Sequence, residues 1–446
     1  MSEARVLKDI PLGPKLCDQD LEDLGRQCLK LAAQLKGQLS ELNHPLPTFF
    51  TQSFDRYPAR NQAVNTTRHQ LREAAQTLYE LACGPDEIVT RELYAKIHDI
   101  NAFTYVSRYN VAEHIPVDGS ISYTILAAKS GTGIVQLRKA LRHLMTLRVF
   151  HESEPEHVTH SAASKTLLDS GVKLYNSFLC NETSKLAVFQ TDAIEKWGHD
   201  CVEPDQTAHN IAHRTNKPIF QYLSENPARA ADFGQLMRYL FKTAAIDSEM
   251  LLQSYNWSAL GAATVVDVGG STGHCSVFIA KTNPALSFIV QDLQHVIADA
   301  SDPAKCVVPA EMSNRIVFQV HDMMDPQPVI ADVYFLRMVL HDWPDAVCRK
   351  ALRHLATAMS KRPGSRLLIV DTVLPPAGQW SRVFERPLRV ADLQMGLFHN
   401  SKERQLSEWE DLFHHSHPGF LLRSVLNPLK GPFSILELVL REGFTT

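Results

Sequence analysis

The chain predicts an α/β fold, a doubly wound and mostly parallel sheet preceded by helical and winged-helix segments. Three observations carry this. From residue 262 onward, short apolar runs alternate with amphipathic stretches. The first of those runs, Thr264–Val268, passes straight into a glycine turn and a helix-like segment. Before residue 200 the apolar residues recur at helical spacing instead.

Residues 1–100 read as a helical extension. Leu21, Leu24, Cys28, Leu29, Leu31, Leu35 and Leu39 fall at roughly helical spacing, and Asn61–Cys83 forms a second helix closed by Gly84-Pro85. Residues 101–200 hold a compact winged helix. Its elements are a short helix Ile121–Ala128, a turn Gly131-Thr132-Gly133, a helix Ile134–Arg148, and a hairpin pairing Val149-Phe150 with Val158-Thr159. Such a shape can bind DNA, and Arg138, Lys139, Arg142 and Arg148 suit that role, but the acidic wing Glu152, Glu154, Glu156 opposes it. Residues 201–260 are helical and rich in aromatic and Met side chains, a linker able to wall an apolar pocket. Residues 261–446 form the sheet. Its strands are expected at Thr264–Val268, Ser287–Gln291, Ile316–Val320, Val333–Met338 and Leu367–Val370, closed by a hairpin of Leu421–Leu426 and Ser434–Leu440 turning at Pro428–Pro432.

Composition narrows the function. A length of 446 residues exceeds one ordinary domain, and 44% hydrophobic with 21% charged residues is that of a globular chain. A net charge of −4 gives no basic surface for nucleic acid. The eight cysteines are scattered without a C-x-x-C, against a zinc site or disulfide framework, so no metal is expected. No apolar N-terminal leader or membrane-length run occurs, which predicts a cytoplasmic protein with no membrane partner.

The chemistry lies at successive strand ends. The turn Gly269-Gly270-Ser271-Thr272-Gly273 has neither G-x-G-x-x-G spacing nor a following Gly-Lys-Ser/Thr. The second strand ends at Asp292, placed to accept ribose hydroxyls. The third ends in His321-Asp322-Met323, where Asp322 suits an adenine amino group and Met323 its ring face. The fourth ends in His341-Asp342-Trp343-Pro344-Asp345, and His341 is the candidate general base. A single strand-end acid is usually a cap, but three in consecutive register after a glycine turn point to a nucleotide-like cofactor. Asp371 and Glu403 are the candidate carboxylates that orient the base.

The motifs VVDVGGSTG, QDLQHVI (291–297), YFLRMVLHDWPD (334–345) and SKER (401–404), in this order, resemble the small-molecule O-methyltransferases of plants and fungi, the fungal polyketide and alkaloid tailoring enzymes most of all. The resemblance covers roughly residues 100–440. It implies a Rossmann-like class I methyltransferase sheet, with the winged helix serving homodimer formation. It also implies S-adenosylmethionine (SAM) held by Gly269, Gly270, Asp292, Asp322, Met323 and Arg337. His341 would be the base flanked by Asp371 and Glu403, and Met237, Phe241, Met395, Phe398 and Asn400 would line the acceptor pocket. Plant members usually carry Glu where this chain has Asp371 and Lys where it has Arg337. The shorter acid lengthens the contact with His341, and Arg337 keeps the charge but changes the donor geometry. The acceptor implied is a hydroxylated small metabolite, a phenol or enol. Two other readings stand beside this one. One is a SAM-binding pericyclase or dehydratase on the same scaffold. The other is a non-enzymatic SAM-sensing protein that binds DNA through the winged helix.

Overall fold

The computed structural model describes residues 20–58, 61–241, 252–427 and 433–441, with the side chain of Phe241 excluded. The chain forms two compact units, one from the described parts of 14–188 and 231–239, the other from those of 189–230 and 240–446.

The first unit opens on helix Leu21–Glu41, whose N-cap Asp20 accepts the Asp23 amide at 2.8 Å. Its buried residues Leu24, Leu31, Leu35 and Leu39 recur every turn or two. They meet Ala74 and Val64 of helix Gln62–Val89. Gly84 adopts φ of +75° and breaks that helix, and Pro85 begins the next helical stretch, where its missing N–H costs nothing.

The helices and hairpin expected between 121 and 159 are present with shifted boundaries. Ile121 and Ser122, expected as helix, form strand β1 (Ile121–Ser122) against Val158 and His157. Ser122 then caps helix Tyr123–Ser130 by accepting the Ile125 amide. Helix Ile134–Thr146 buries Leu137, Leu141 and Leu144. The hairpin starts later than expected, as β2 (His151–Glu154) and β3 (His157–Thr159), because Arg148 and Phe150 take positive φ and turn Val149 and Phe150 into the core. Arg142 pairs with Glu152 and Glu156 at 2.9 Å each, and Arg138 pairs with Glu156. These acids thus pair with two of the four basic residues that would suit a DNA backbone.

The second unit is built on one sheet. Its strands are β4 (Thr264–Val268), β5 (Ser287–Asp292), β6 (Ile316–Val320), β7 (Val333–Arg337), β8 (Arg366–Leu374), the short β9 (Arg404–Gln405), β10 (Phe420–Leu426) and β11 (Phe433–Leu440). The order is β10-β11-β8-β7-β4-β5-β6, with β9 alongside β8. β4 to β8 run parallel, and β11 enters antiparallel between β8 and β10. The expected turn at Pro428–Pro432 lies outside the described residues.

Alternation of side chains divides the core into two faces. Val265, Phe288, Val290, Phe335, Leu368 and Val370 pack with helix His274–Thr282 on one face. Val266, Val268, Tyr334, Leu336, Leu367 and Ile369 pack on the other with helices Asp345–Ser360 and Leu406–Ser416. Both faces are covered, which is why these strands read as unbroken apolar runs. No described helix is long and apolar enough to cross a membrane.

Candidate functional site

The glycine turn sits at the carboxyl end of β4, the middle one of the five parallel strands, where the chain leaves the sheet for helix His274–Thr282. The amides of Gly269 and Gly270 both donate to the carbonyl of Gln291 at the end of β5, at 2.8 and 3.1 Å. Gln291 is itself fixed by a buried amide network, donating to Gln319 and exchanging hydrogen bonds with Gln327 at 2.8–2.9 Å. Gly269 has φ of +71°, and a Cβ there would meet Val339 Cγ2 at 2.9 Å. The turn therefore lies directly against the segment that carries His341. On Gly270 a Cβ would fall 2.6 Å from Asp267 Cγ and 2.8 Å from Val290 Cγ1.

Asp267 lies beneath the turn, buried, accepting from Ser276 Oγ at 2.6 Å. Burial pushes its carboxyl up to about 6, against the pull of Ser276 and Arg337. Arg337, at the end of β7, thus lends its charge to Asp267 and also to Cys275. Asp292 accepts the amides of Ser271 (2.9 Å) and Leu293 (2.8 Å), one on each oxygen, and burial raises its carboxyl. Asp322 is exposed and accepts the Met324 amide at 2.9 Å, while Met323 packs on the second core face.

His341 lies on a single 3₁₀ turn, Leu340–Asp342, just past β7. Asp371 comes from β8, one position beyond the pairing of Arg337 with Val370, and Glu403 directly precedes β9. The three side chains meet. His341 Nδ1 lies 3.0 Å from Glu403 Oε1 and 3.6 Å from Asp371 Oδ1. His341, Asp371 and Glu403 are 5%, 0% and 3% exposed. Asp342 adds a third carboxylate 3.6 Å from His341 Nε2 and 3.3 Å from Nε2 of His399.

Burial opposes the imidazolium, but Asp371, Glu403 and Asp342 outweigh it and push His341 up to about 10. Burial raises Asp371 and Asp342 to about 6 each, against the attraction of His341. Burial drives the neighbouring His399 down to about 3, and the charge of His341 adds to that effect. Both oxygens of Asp371 and Oε2 of Glu403 are buried and accept no hydrogen bond among the described residues. Such oxygens act through their charge, and their chemistry is to hold a proton on, or draw one to, the imidazole between them. The ligand atoms of His341, Asp371 and Glu403 also lie within 4.8 Å of one another, a spacing that a cation could use.

The remaining expected residues are spread more widely. Met237 is half-buried on helix Pro227–Phe241, in the first unit, and the Phe241 side chain lies outside the described residues. Met395 is half-buried on helix Arg382–His399, and Phe398 on the same helix is buried, stacked on His209 with ring centroids 6.5 Å apart. Asn400 takes φ of +49° and donates its amide hydrogens to the carbonyls of Glu203 (2.9 Å) and Gln206 (3.0 Å).

Phe220 belongs to the aromatic-rich stretch expected to wall a pocket and Phe398 is expected there, but His399, Ser401 and Arg404 carry no role from the sequence. Phe220 lies against Trp343 and His399, with centroids 5.9 and 5.3 Å apart, and His399 lies 6.1 Å from Phe398. Their scatter from 209 to 399 gave no local signal. Ser401 and Arg404 flank Glu403 in the SKER stretch, and both hold the His341 turn.

Residues 198–420 match the O-methyltransferase domain family. The O-methyltransferase pgmB of Aspergillus terreus is 37% identical over 383 residues, covering 85% of this chain and 86% of that one. The O-methyltransferase aoiF of Aspergillus oryzae is 34% identical over 428 residues, covering 94% and 99%. The structure of OxaC in complex with sinefungin and meleagrin superposes with a TM-score of 0.73 at 23% identity, covering 93% of this chain and 99% of that one. With these relatives spanning nearly its whole length, the chain belongs to the SAM-dependent O-methyltransferase family.

Proposed function

We propose that this protein methylates a phenol or enol hydroxyl of a small secondary metabolite, with His341 as general base. The observation that carries the reading is the buried cluster of His341, Asp371 and Glu403, on a segment in contact with the glycine turn through Val339 and Gly269. When bound, SAM supplies an electrophilic methyl group to the acceptor oxygen. Gly269, Gly270, Asp292, Asp322, Met323 and Arg337 would hold it. The turn suits such a ligand. The Thr272 hydroxyl is buried there with no hydrogen-bond partner among the described residues, and the Asp292 carboxylate keeps lone pairs beyond the two that its amide donors use.

In this reading Nε2 of His341 takes the hydroxyl proton while Glu403 holds Nδ1 as the donor, so the ring keeps the tautomer that can accept. Asp371 stabilises the imidazolium that results. The fungal relatives support a secondary-metabolite acceptor. The cluster of Phe220, Trp343, Phe398 and His399 supports a flat, apolar one, and Met395 and Asn400 are assigned to the same pocket. The test is transfer of labelled methyl from SAM to an acceptor, lost in His341→Ala.

The active form we assign is a homodimer. Leu93, Tyr94, Ile97 and Ile100 expose an apolar stripe on helix Arg91–Arg108, and a surface of that kind supports association. Light scattering should give twice the chain mass; a value near one chain overturns the assignment.

A further inference from the structure

We propose that Ser401 and Arg404 are positioning residues that hold the backbone from which His341 projects. The proposal rests on the reading of His341 as the base. Its observation is separate: one short segment bonds three carbonyls of the His341 turn, those of Leu340, His341 and Trp343. Ser401 Oγ donates to the carbonyl of His341 at 2.6 Å. Arg404 donates from Nη1 to the carbonyl of Leu340 at 2.9 Å and from Nη2 to that of Trp343 at 2.8 Å. Its Nε reaches Asp345 Oδ1 at 2.9 Å, at the start of helix Asp345–Ser360.

The turn has little else to hold it. Its backbone bonds, Asp342 to Val339 and Trp343 to Leu340, are both 3.3 Å long, and Met338 enters it at φ of +51°. The only other side chain bonding those carbonyls among the described residues is Cys348, at 3.2 and 3.3 Å. The gripping segment is anchored to the sheet. Arg404 pairs in β9 with Val373 of β8, two residues after Asp371, and the Glu403 amide donates to Asp392 at 2.9 Å. One stretch of chain thus fixes ring and backbone together, Glu403 at Nδ1 and Ser401 and Arg404 behind it.

The burial of Arg404 argues for function over stability. Its side chain is wholly buried, and Asp345, its one ion-pair partner among the described residues, is a third exposed. A buried guanidinium carries a desolvation cost that an apolar side chain of similar volume avoids. Five donors in a fixed plane reach two carbonyls and a carboxylate at once, which no apolar residue does. Precision at the base is what this arrangement supplies. A displacement of about 1 Å at a reacting group costs on the order of 10²-fold in rate.

The experiment compares full-length native protein with Ser401→Ala, Arg404→Met, Arg404→Lys and His341→Ala. Methyl-labelled SAM is incubated with each, using an organic extract of fungal mycelium that the native protein labels as the acceptor source. SAM affinity is measured by calorimetry, and the imidazole of His341 is followed by ¹⁵N resonance. Arg404→Met should lower the labelling rate about 10²-fold, Ser401→Ala about tenfold, and Arg404→Lys should recover part of the loss, with SAM affinity within threefold throughout. In Ser401→Ala the titration of His341 should move to lower pH, because its ring sits less firmly against Glu403, Asp371 and Asp342; His399 is the other titratable group facing that cluster. Where Arg404→Met fails to fold, Ser401→Ala carries the test. Native rates and an unmoved His341 titration in both variants, with His341→Ala inactive, overturn the proposal alone. Full activity in His341→Ala overturns the reading on which it rests.

Discussion

Replacing Glu403 by Gln keeps shape and removes one charge, so it isolates what the carboxylate does for His341. The contact is 3.0 Å long between groups that are both nearly inaccessible to solvent. A hydrogen bond to a charged group contributes about 1.5–3 kcal/mol. At 1.36 kcal/mol per pKa unit, its loss lowers the midpoint of His341 by about one to two units. In the native protein that midpoint is pushed up to about 10, so the neutral, proton-accepting imidazole grows as pH rises. The rate should therefore climb from neutral toward alkaline pH, and the climb should begin lower in Glu403→Gln. The ceiling should nevertheless fall by about 10²–10⁴-fold. The new amide can donate to Nδ1 and leave the proton on Nε2, the wrong tautomer for a base. Native stability carries the same signature. The gain from His341 is complete below its unfolded midpoint near 6.5 and is lost as pH rises through about 10. The assay is the initial rate of methyl transfer from pH 6 to 10 for both proteins, with unfolding midpoints alongside. A Glu403→Gln rate within threefold of native with an unshifted profile would refute the reasoning.

Two further outcomes follow from the cofactor side. Gly270→Ala places a methyl 2.6 Å from Asp267 Cγ and 2.8 Å from Val290 Cγ1, both buried, so overpacking should cost about 1–3 kcal/mol and weaken SAM binding. Native melting temperature and SAM affinity would show that the turn is looser than its contacts indicate. Asp292→Ala should weaken SAM by about 1–3 kcal/mol, read by calorimetry, through loss of acceptors for the ribose hydroxyls and of the Ser271 contact. Unchanged affinity would remove Asp292 from the binding site.

The strands were legible because a sheet buried on both faces must be written as apolar runs. Thr264–Val268 and Ile316–Val320 match their expected limits. Strand β9 was not legible, since two residues leave no periodicity, and its place beside β8 depends on a contact between positions 373 and 404. Around residue 121 the conflict was between propensity and tertiary pairing. Ile121 and Ser122 look helical but are taken by His157 and Val158. His341 was reachable because it follows a strand end, and Asp371 because it directly continues the apolar run Leu367–Val370, although β8 runs on to Leu374. The burial of Arg404 was not, because a charged residue is read as exposed until the carbonyls it satisfies are seen. Asn400 shows the same limit, since the groups that take its amide are some 200 residues away.

The most direct test of the central claim is the fate of a labelled methyl group. The protein, methyl-labelled SAM and a fungal metabolite extract should yield a labelled product whose mass exceeds that of its precursor by one methylene. His341→Ala should bind SAM within a few fold of native and form no such product. Labelled product from His341→Ala at the native rate would contradict the assignment of His341 as the base.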